Sequence, residues 1–279
     1  MTFALDHLVI NVLFDMDRAE TMMSQLGFTL TPRGYHSLGS INHLMVFDGQ
    51  YLELIGLPSA ADVLRKDVLE SPRGLNGLVF RADDIDTCLS KLRQGGLATL
   101  EPQSFSRPVT IDGVEQLARF RTVRTAPELF EAGRVYYCQH YTPELVWHRP
   151  WMVHANGCSG LSELVVVTDA IEADASRYAK AAQAHAKKRG SEIWTIDLAG
   201  GFCFTLMSPA RYLERYGEHS VDGNGRRSFF GAVVFKAADL DSVRGFAGSV
   251  PELRVGASAN SLVLLVPFLN TPLEFRSDR

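Results

Sequence analysis

The chain repeats one pattern four times, and this repeat constrains its fold more than any other feature. In each copy an apolar run with strand-like alternation leads into a segment with helical spacing, and further strand-like runs follow. The apolar runs lie at residues 5–12 (LDHLVINV), 75–86, 161–172 and 228–241. The unit length of about 70 residues and the order strand, helix, strand, strand, strand predict four βαβββ modules.

Four such modules predict an α+β fold. A chain of 279 residues also exceeds one average domain. We predict an N-terminal domain at residues 1–147, with modules 1–57 and 74–147, and a C-terminal domain at residues 158–279, with modules 158–208 and 227–279. The third module is predicted to be short, with one helix continuing to about Lys188, because lysine, arginine and glycine favour a helix C-terminus.

Composition excludes several classes of function. A net charge of −4 argues against a nucleic-acid binder, which normally presents a basic face. No segment approaches the roughly 18 apolar residues that span a bilayer, and the N-terminus lacks the features of a signal peptide. The four cysteines are widely spaced, which indicates free thiols in a reducing compartment. We therefore expect a cytoplasmic protein without a nucleic-acid or membrane partner.

Two polar side chains stand in otherwise apolar strands. His7 lies in LDHLVI and Glu53 in YLELIG. An imidazole and a carboxylate on two strands of one small sheet can begin a divalent-metal site. The alternative is a hydrogen-bonded histidine at the edge of a core and a glutamate that faces water.

Aligning the four modules on their helix entrances shows what replaces these two residues elsewhere. The position of His7 is taken in the later modules by Gly77, Glu163 and Ala232. Alignment on the closing strands puts three further residues at the position of Glu53: Gln139, Thr205 and Glu274. A slip of one residue in the second module would substitute His140 for Gln139 and reverse the face of the strand that it occupies.

The order of these modules and of five short motifs resembles the vicinal oxygen chelate superfamily, which includes glyoxalase I and the extradiol dioxygenases. The motifs are LDHLVI, GSIN at residues 39–42, YLELIG, FSRPV at 105–109 and HANG at 154–157, and they look like those of glyoxalase-like domain proteins. The resemblance implies that the four βαβββ modules pair into two incomplete barrels, each of which encloses a cup: residues 1–147 form the first cup and residues 158–279 the second. It also implies a metal inside a cup, which acts as a Lewis acid on two adjacent substrate oxygens.

Carried over to this chain, the resemblance favours the first cup as the site. His7 and Glu53 would bind the metal, with Gln139 or His140 as a further ligand, whereas the second cup offers no imidazole. The implied cofactor is a divalent ion of zinc, nickel, manganese or iron, and a protein without metal is the alternative. The second cup is expected to be scaffold.

Four residues are candidates for substrate binding. Arg107 and Arg121 can hold a carboxylate or phosphate, or alternatively form a solvated face or a buried ion pair. Asn42 can orient a substrate oxygen or merely form a turn, and His43 can contact the site or hydrogen-bond at its rim.

The function that these features favour is that of a metal-dependent lyase, isomerase or dioxygenase. Its substrate would be a small, oxygen-rich, anionic molecule, and no catalytic residue is assigned. The alternative is a metal-free protein that binds or sequesters a small molecule in the same cup. Whether the chain forms a homodimer stays open.

Overall fold

A computed structural model describes residues 2–60, 64–258 and 260–277. The outermost residues of the predicted domains, 1 and 278–279, lie outside this range. The first sheet has the strand order β2-β3-β4-β1-β5-β8-β7-β6. Its strands are β1 (Leu5–Leu13), β2 (Gly34–Tyr35), β3 (Ile41–Phe47), β4 (Gln50–Gly56), β5 (Gly74–Arg81), β6 (Gln103–Ile111), β7 (Val114–Arg124) and β8 (Arg134–His140).

The second sheet repeats this topology in the order β10-β11-β12-β9-β13-β16-β15-β14. Its strands are β9 (Cys158–Thr168), β10 (Ala186–Lys188), β11 (Ile193–Asp197), β12 (Cys203–Met207), β13 (Ser228–Ala237), β14 (Arg254–Ala257), β15 (Ser261–Val266) and β16 (Thr271–Ser277). The two eight-stranded sheets confirm the predicted α+β fold of paired modules.

Six α-helices accompany the sheets in the described residues: α1 (Met16–Gln25), α2 (Lys66–Leu69), α3 (Ile85–Gln94), α4 (Ile171–Ala182), α5 (Pro209–Tyr216) and α6 (Leu240–Ala247). Helices α1, α3, α4 and α6 each follow the first strand of a module. Short 3-10 helices lie at Pro127–Leu129, Pro143–Leu145, Arg149–Met152, Gly217–His219 and Pro267–Leu269. Among the described residues, no helix has the length and apolar character needed to cross a membrane.

The third module is complete, and the prediction of one helix to about Lys188 was wrong. Helix α4 ends at Ala182, because the next residue, Gln183, adopts a left-handed conformation with φ of 50°. The chain then reverses into β10, which pairs with β11 in antiparallel register. The basic residues that suggested a helix end lie instead on an edge strand, where lysines also discourage pairing with other chains.

Each cup is built around a central pair of antiparallel strands. In the first sheet β1 pairs with β5, and each of these pairs in parallel with the last strand of its own module. The backbone N–H of Ser37 donates to the carbonyl oxygen of Ser106 at 2.9 Å, so the segment after β2 meets β6. The first sheet therefore curls into a nearly closed barrel.

Alternate residues of the central strands pack into different cores. Leu8 and Leu78 of the first sheet share one large apolar cluster with Leu164 and Phe235 of the second. Their neighbours point the other way: Val9 and Val79 lie inside the first cup, and Val165 and Ala232 inside the second. The two halves thus share a core between their outer faces, and the predicted domain limits stay a prediction.

Candidate functional site

The interior of the first cup contains a narrow cavity, part of which is open to solvent. Its polar lining consists of His7, His36, Asn42, Tyr51, Glu53, Arg65, Arg107, Thr122, Arg124, Tyr136 and Cys138. Its apolar lining consists of Leu44, Ile55, Phe105 and Phe120. Polar and charged side chains therefore dominate a space in which the strand interiors would ordinarily be apolar.

A bulge in β1 arranges the first two polar residues. Leu5 pairs with Phe80 and His7 with Val79, so Asp6 is an extra residue without a partner in β5. Its carboxylate lies on the same side as the next imidazole, with 2.6 Å between Asp6 Oδ1 and His7 Nδ1. A carboxylate only accepts hydrogen bonds, so Nδ1 carries the proton and the lone pair of His7 Nε2 is available to the cavity.

Asp6 also contacts a second imidazole. His140 Nε2 lies 3.1 Å from Asp6 Oδ1, and Arg81 Nε lies 3.4 Å from Asp6 Oδ2. Complete burial would raise the pKa of Asp6, but the charge and hydrogen bond of His140, together with those of His7, hold this pKa well below its usual range. The carboxylate is therefore ionised near neutral pH and fixes the orientation of both rings.

His7 meets three other side chains in the cup. Its ring stacks on Tyr51 with 4.3 Å between ring centroids. Its Nε2 lies 3.7 Å from Glu53 Oε2 and 3.3 Å from the hydroxyl of Tyr136. Burial raises the pKa of Tyr136, so this hydroxyl stays protonated.

Glu53 is held from its other side by the GSIN turn. Its Oε1 accepts a hydrogen bond of 2.7 Å from Asn42 Nδ2, and the same amide nitrogen lies 3.3 Å from His36 Nε2. Burial, with the charges of two nearby arginines, lowers the pKa of His36 well below its usual value, so this imidazole is neutral. Asn42 Oδ1 is buried and has no hydrogen-bond partner. A Cβ at Gly34 would lie 2.2 Å from this oxygen, which explains the glycine there.

Arg107 is the most unusual side chain of the cavity. It is 1% exposed, its Nη2 has no hydrogen-bond partner, and within the described residues it forms no ion pair. Burial is the main cause that lowers its pKa. A buried charge without a close partner is costly, so this guanidinium calls for an anion that the described residues do not supply.

Two further arginines line the same cavity but are already paired. Arg65 donates to Asp67 at 2.8 and 3.0 Å, and Arg124 donates to the same carboxylate at 3.1 Å. Arg134, just outside, is the third arginine that contacts Asp67, at 3.2 Å. Three cations thus share one carboxylate, and the positive charge at this end of the cavity remains in excess.

The strand register identifies the residue that replaces Glu53 in the second module. Glu53 pairs with Val9, two residues after His7, and Tyr136 pairs with Val79, two residues after Gly77. Tyr136 therefore occupies the position that the sequence alignment gave to Gln139. The side chain of Gln139 lies on the outer face of the strand, where its Oε1 accepts from the backbone N–H of Ile85 at 3.1 Å.

Gly77 leaves the remaining ligand position without a side chain. A Cβ there would lie 2.7 Å from the Cβ of Val9, so a larger residue requires this pair of strands to shift. At the four aligned positions, the first cup consequently offers one imidazole and one carboxylate as strong metal ligands, with the Tyr136 hydroxyl beside them.

Two other predicted residues are outside the cavity. His43 points away from the cavity, toward the segment that follows α1. Its Nδ1 lies 2.7 Å from the carbonyl oxygen of Thr31, and its Nε2 accepts a hydrogen bond from Arg33. Arg121 is paired with Asp86 of α3 at 2.7 and 2.8 Å. The structure thus brings together His7, Glu53, His140, Asn42 and Arg107, and it places Gln139, His43 and Arg121 on the opposite face.

The alternation of apolar and polar residues along β7 indicates which of its arginines point into the cavity. Ala118 and Phe120 are buried, so the alternation of a strand turns Thr122 and Arg124 inward and Arg119 and Arg121 outward. Asp6 gave no such signal, because a bulge that reverses the alternation is not visible in the local pattern of residues.

The second cup has no comparable cavity among the described residues, because α5 fills it. Arg215 of this helix donates to Glu163 at 2.8 and 3.1 Å and to Glu274 at 2.8 Å. Arg276 contacts both carboxylates, and the hydroxyl of Tyr216 donates to Glu274 at 2.7 Å. The carboxylates that sequence alignment placed at metal positions are thus occupied by the chain's own cations.

Comparison with known proteins agrees with this architecture. The sequence profile of a family described as a glyoxalase-like domain matches residues 5–182. No curated protein matches the chain.

Three solved structures have the same fold. A hypothetical protein from Staphylococcus aureus is 13% identical, with a TM-score of 0.67 and coverage of 98% of each chain. A triple mutant of 4-hydroxymandelate synthase from Streptomyces coelicolor is 15% identical, with a TM-score of 0.56 and coverage of 99% of this chain and 92% of that one. A fusion of a xylose isomerase-like TIM barrel with 4-hydroxyphenylpyruvate dioxygenase is 12% identical, with a TM-score of 0.59 and coverage of 99% and 50%. At these identities the likeness shows the fold alone.

Proposed function

Since the chain belongs to the glyoxalase-like domain family, we propose that it is a metal-dependent enzyme of the vicinal oxygen chelate type that acts on a small, oxygen-rich anion in the first cup. One observation carries the proposal: a single cavity holds the His7–Glu53 pair and the buried, unpartnered guanidinium of Arg107. Cation ligands and an anion anchor in one cavity are what such a substrate requires.

The donor set of the first cup fits a divalent metal. Ligand atoms around one such ion are about 3–3.5 Å apart when the bonds are about 2.0–2.2 Å long. His7 Nε2 and Glu53 Oε2, at 3.7 Å, are close to this separation. Each ligand is oriented by a hydrogen bond, His7 by one to Asp6 and Glu53 by one from Asn42, as is usual for metal ligands.

A metal held by His7 and Glu53 would supply Lewis-acid stabilisation of negative charge on substrate oxygens. The other contributions come from side chains. Arg107 binds the anionic group of the substrate, and the protonated Tyr136 hydroxyl can donate a hydrogen bond to a substrate oxygen. Phe105 and Phe120, which stack at 5.0 Å, form an apolar wall that excludes water from this end.

A metal-free binding protein is the second candidate, and Gly77 favours it. The strand register gives this position no side chain, so the cup has one strong ligand fewer than the superfamily pattern implies. In this alternative the same arginines bind an anion, and His7 and Glu53 serve as hydrogen-bonding groups.

Calorimetric titration of Mn²⁺ into chelator-treated protein distinguishes the two candidates. If His7 and Glu53 share one ion, His7→Ala and Glu53→Ala each abolish its binding, and the double variant is scarcely worse than either single one. Glu163→Gln in the second cup is the matched control and should retain binding within a few-fold. Wild-type protein that takes up no metal at micromolar concentrations would leave only the binding-protein candidate.

Anion binding is tested by the stabilisation that a panel of 2-oxo and 2-hydroxy carboxylates gives against thermal unfolding. Arg107→Met should weaken a carboxylate that stabilises the wild type by about 30-fold or more, since losing one partner of a desolvated charge pair costs roughly 2–4 kcal/mol. Arg121→Met, on the opposite face, should leave the affinity unchanged. An equal loss in both variants would contradict a direct role for Arg107.

A further inference from the structure

A second group of metal-ligating side chains lies in the first cup and includes neither His7 nor Glu53. Asp6, Cys138 and His140 place their ligand atoms within 4.8 Å of one another. The bulge at Asp6 turns one of these side chains inward, and the alternation of β8 turns the other two inward beyond Tyr136. Asp6 comes from β1 and the other two residues come from β8, and both strands pair with β5, which lies between them.

All three side chains are buried, and their hydrogen bonding is incomplete. Asp6 is inaccessible, Cys138 is 2% exposed and the side chain of His140 is 6% exposed. His140 Nδ1 has no hydrogen-bond partner, and the Cys138 thiol has only a contact of 4.0 Å with a backbone carbonyl.

We propose that Asp6, Cys138 and His140 form a binding site for a thiophilic divalent metal such as Zn²⁺ or Co²⁺. Thiolate, imidazole and carboxylate are the ligands of such ions, at about 2.0–2.3 Å. Asp6 Oδ1 and His140 Nε2 are 3.1 Å apart, close to the separation of two ligands of one ion, so a bound ion would replace the hydrogen bond between them and the proton of His140 would move to Nδ1. The sulfur would have to approach by about 1 Å.

The site faces the same cavity as the proposed substrate. Cys138 lines this cavity together with His7 and Glu53, so a fourth ligand can come from solvent or from a bound molecule. Three protein ligands with one open position are typical of zinc sites that take part in chemistry rather than in folding.

Cobalt is the probe for this inference, because a bound thiolate gives Co²⁺ a charge-transfer absorption in the near ultraviolet. We expect chelator-treated, full-length protein to show this band, with one thiolate-bound Co²⁺ per chain. Cys138→Ser should abolish the band, and His140→Asn should weaken Co²⁺ binding at least 10-fold. Cys88→Ser, which removes a buried thiol of α3, is the matched control and should leave the band unchanged.

The experiment separates this site from the proposed His7–Glu53 site. Glu53→Gln should abolish Mn²⁺ uptake but retain the cobalt–thiolate band. Cys138→Ser should abolish the cobalt–thiolate band but retain Mn²⁺ uptake. Absence of the band in the wild type, which requires no variant to fold, overturns the inference. So does a band that persists in Cys138→Ser or disappears in Glu53→Gln.

Discussion

The two cups share one architecture but differ in what fills them. In the first, charged side chains surround a cavity, and Arg107 forms no ion pair with any residue that the structure describes. In the second, Arg215 and Arg276 neutralise Glu163 and Glu274, and two tyrosines of α5 occupy the remaining space. The βαβββ modules of both halves thus provide inward-facing positions for ligand-binding side chains. The segment that connects two modules determines whether these side chains line a cavity or are bound by other side chains of the protein.

The segment that fills the second cup is encoded locally. Ser208 caps α5 by accepting a hydrogen bond from Arg211 N at 3.2 Å, and Pro209 suits the first helical position. Tyr212 and Tyr216 then point into the cup, where the hydroxyl of Tyr212 donates to the carbonyl oxygen of Gly231 at 2.8 Å. In the first half the described residues of the corresponding segment form α2 as their one helix, and the neighbouring Arg65 lines the cavity without filling it.

The largest effect is expected from removing the central cation of the second cup. Arg215→Met leaves Glu163 and Glu274 with less compensation in a buried environment, and breaking a buried ion pair costs about 3–5 kcal/mol. Urea unfolding of the variant should show this loss in the free energy of unfolding. Arg211→Met, on the exposed face of the same helix, should change it little, and equal effects would contradict a buried network.

The contribution of Glu163 to the free energy of unfolding should depend on pH. Burial would raise the pKa of Glu163, but hydrogen bonds and charge from Arg215 outweigh it and lower this pKa below 4.5. A lowered folded-state pKa stabilises the protein above pH 4.5, and the contribution is lost as the pH falls through the folded-state value. Glu163→Gln should therefore cost about 2–3 kcal/mol at pH 6 and progressively less toward pH 3. A difference from wild type that does not change with pH would contradict this assignment.

The smallest effect on stability is expected in the first cup. Arg107→Met removes a buried charge that has no ion-pair partner in the described part of the chain, so the free energy of unfolding should stay unchanged or rise by about 1 kcal/mol. Urea unfolding in the absence of carboxylate ligands measures this change. A loss comparable to that of Arg215→Met would show that Arg107 serves the fold, and the contrast between the cups would fail.

The sequence predicted most of the fold because the repeat marks each module with the same alternation and the same helix entrance. It predicted His7 and Glu53 because both interrupt apolar strands. It missed Tyr136, since the residue opposite Val79 depends on the pairing register of two strands that are far apart in sequence. It also missed the filling of the second cup. The sequence of residues 209–216 indicates a short helix, but it does not indicate the surface on which this helix packs.

The contrast between the cups is tested most directly by anomalous X-ray diffraction from crystals of the protein soaked in Mn²⁺. We expect one anomalous peak in the first cup, about 2.0–2.2 Å from His7 Nε2 and from a carboxylate oxygen of Glu53. We expect no peak between Glu163 and Glu274, whose oxygens are bound to Arg215 and Arg276. A peak in the second cup, or none in the first at full soaking, would contradict this contrast.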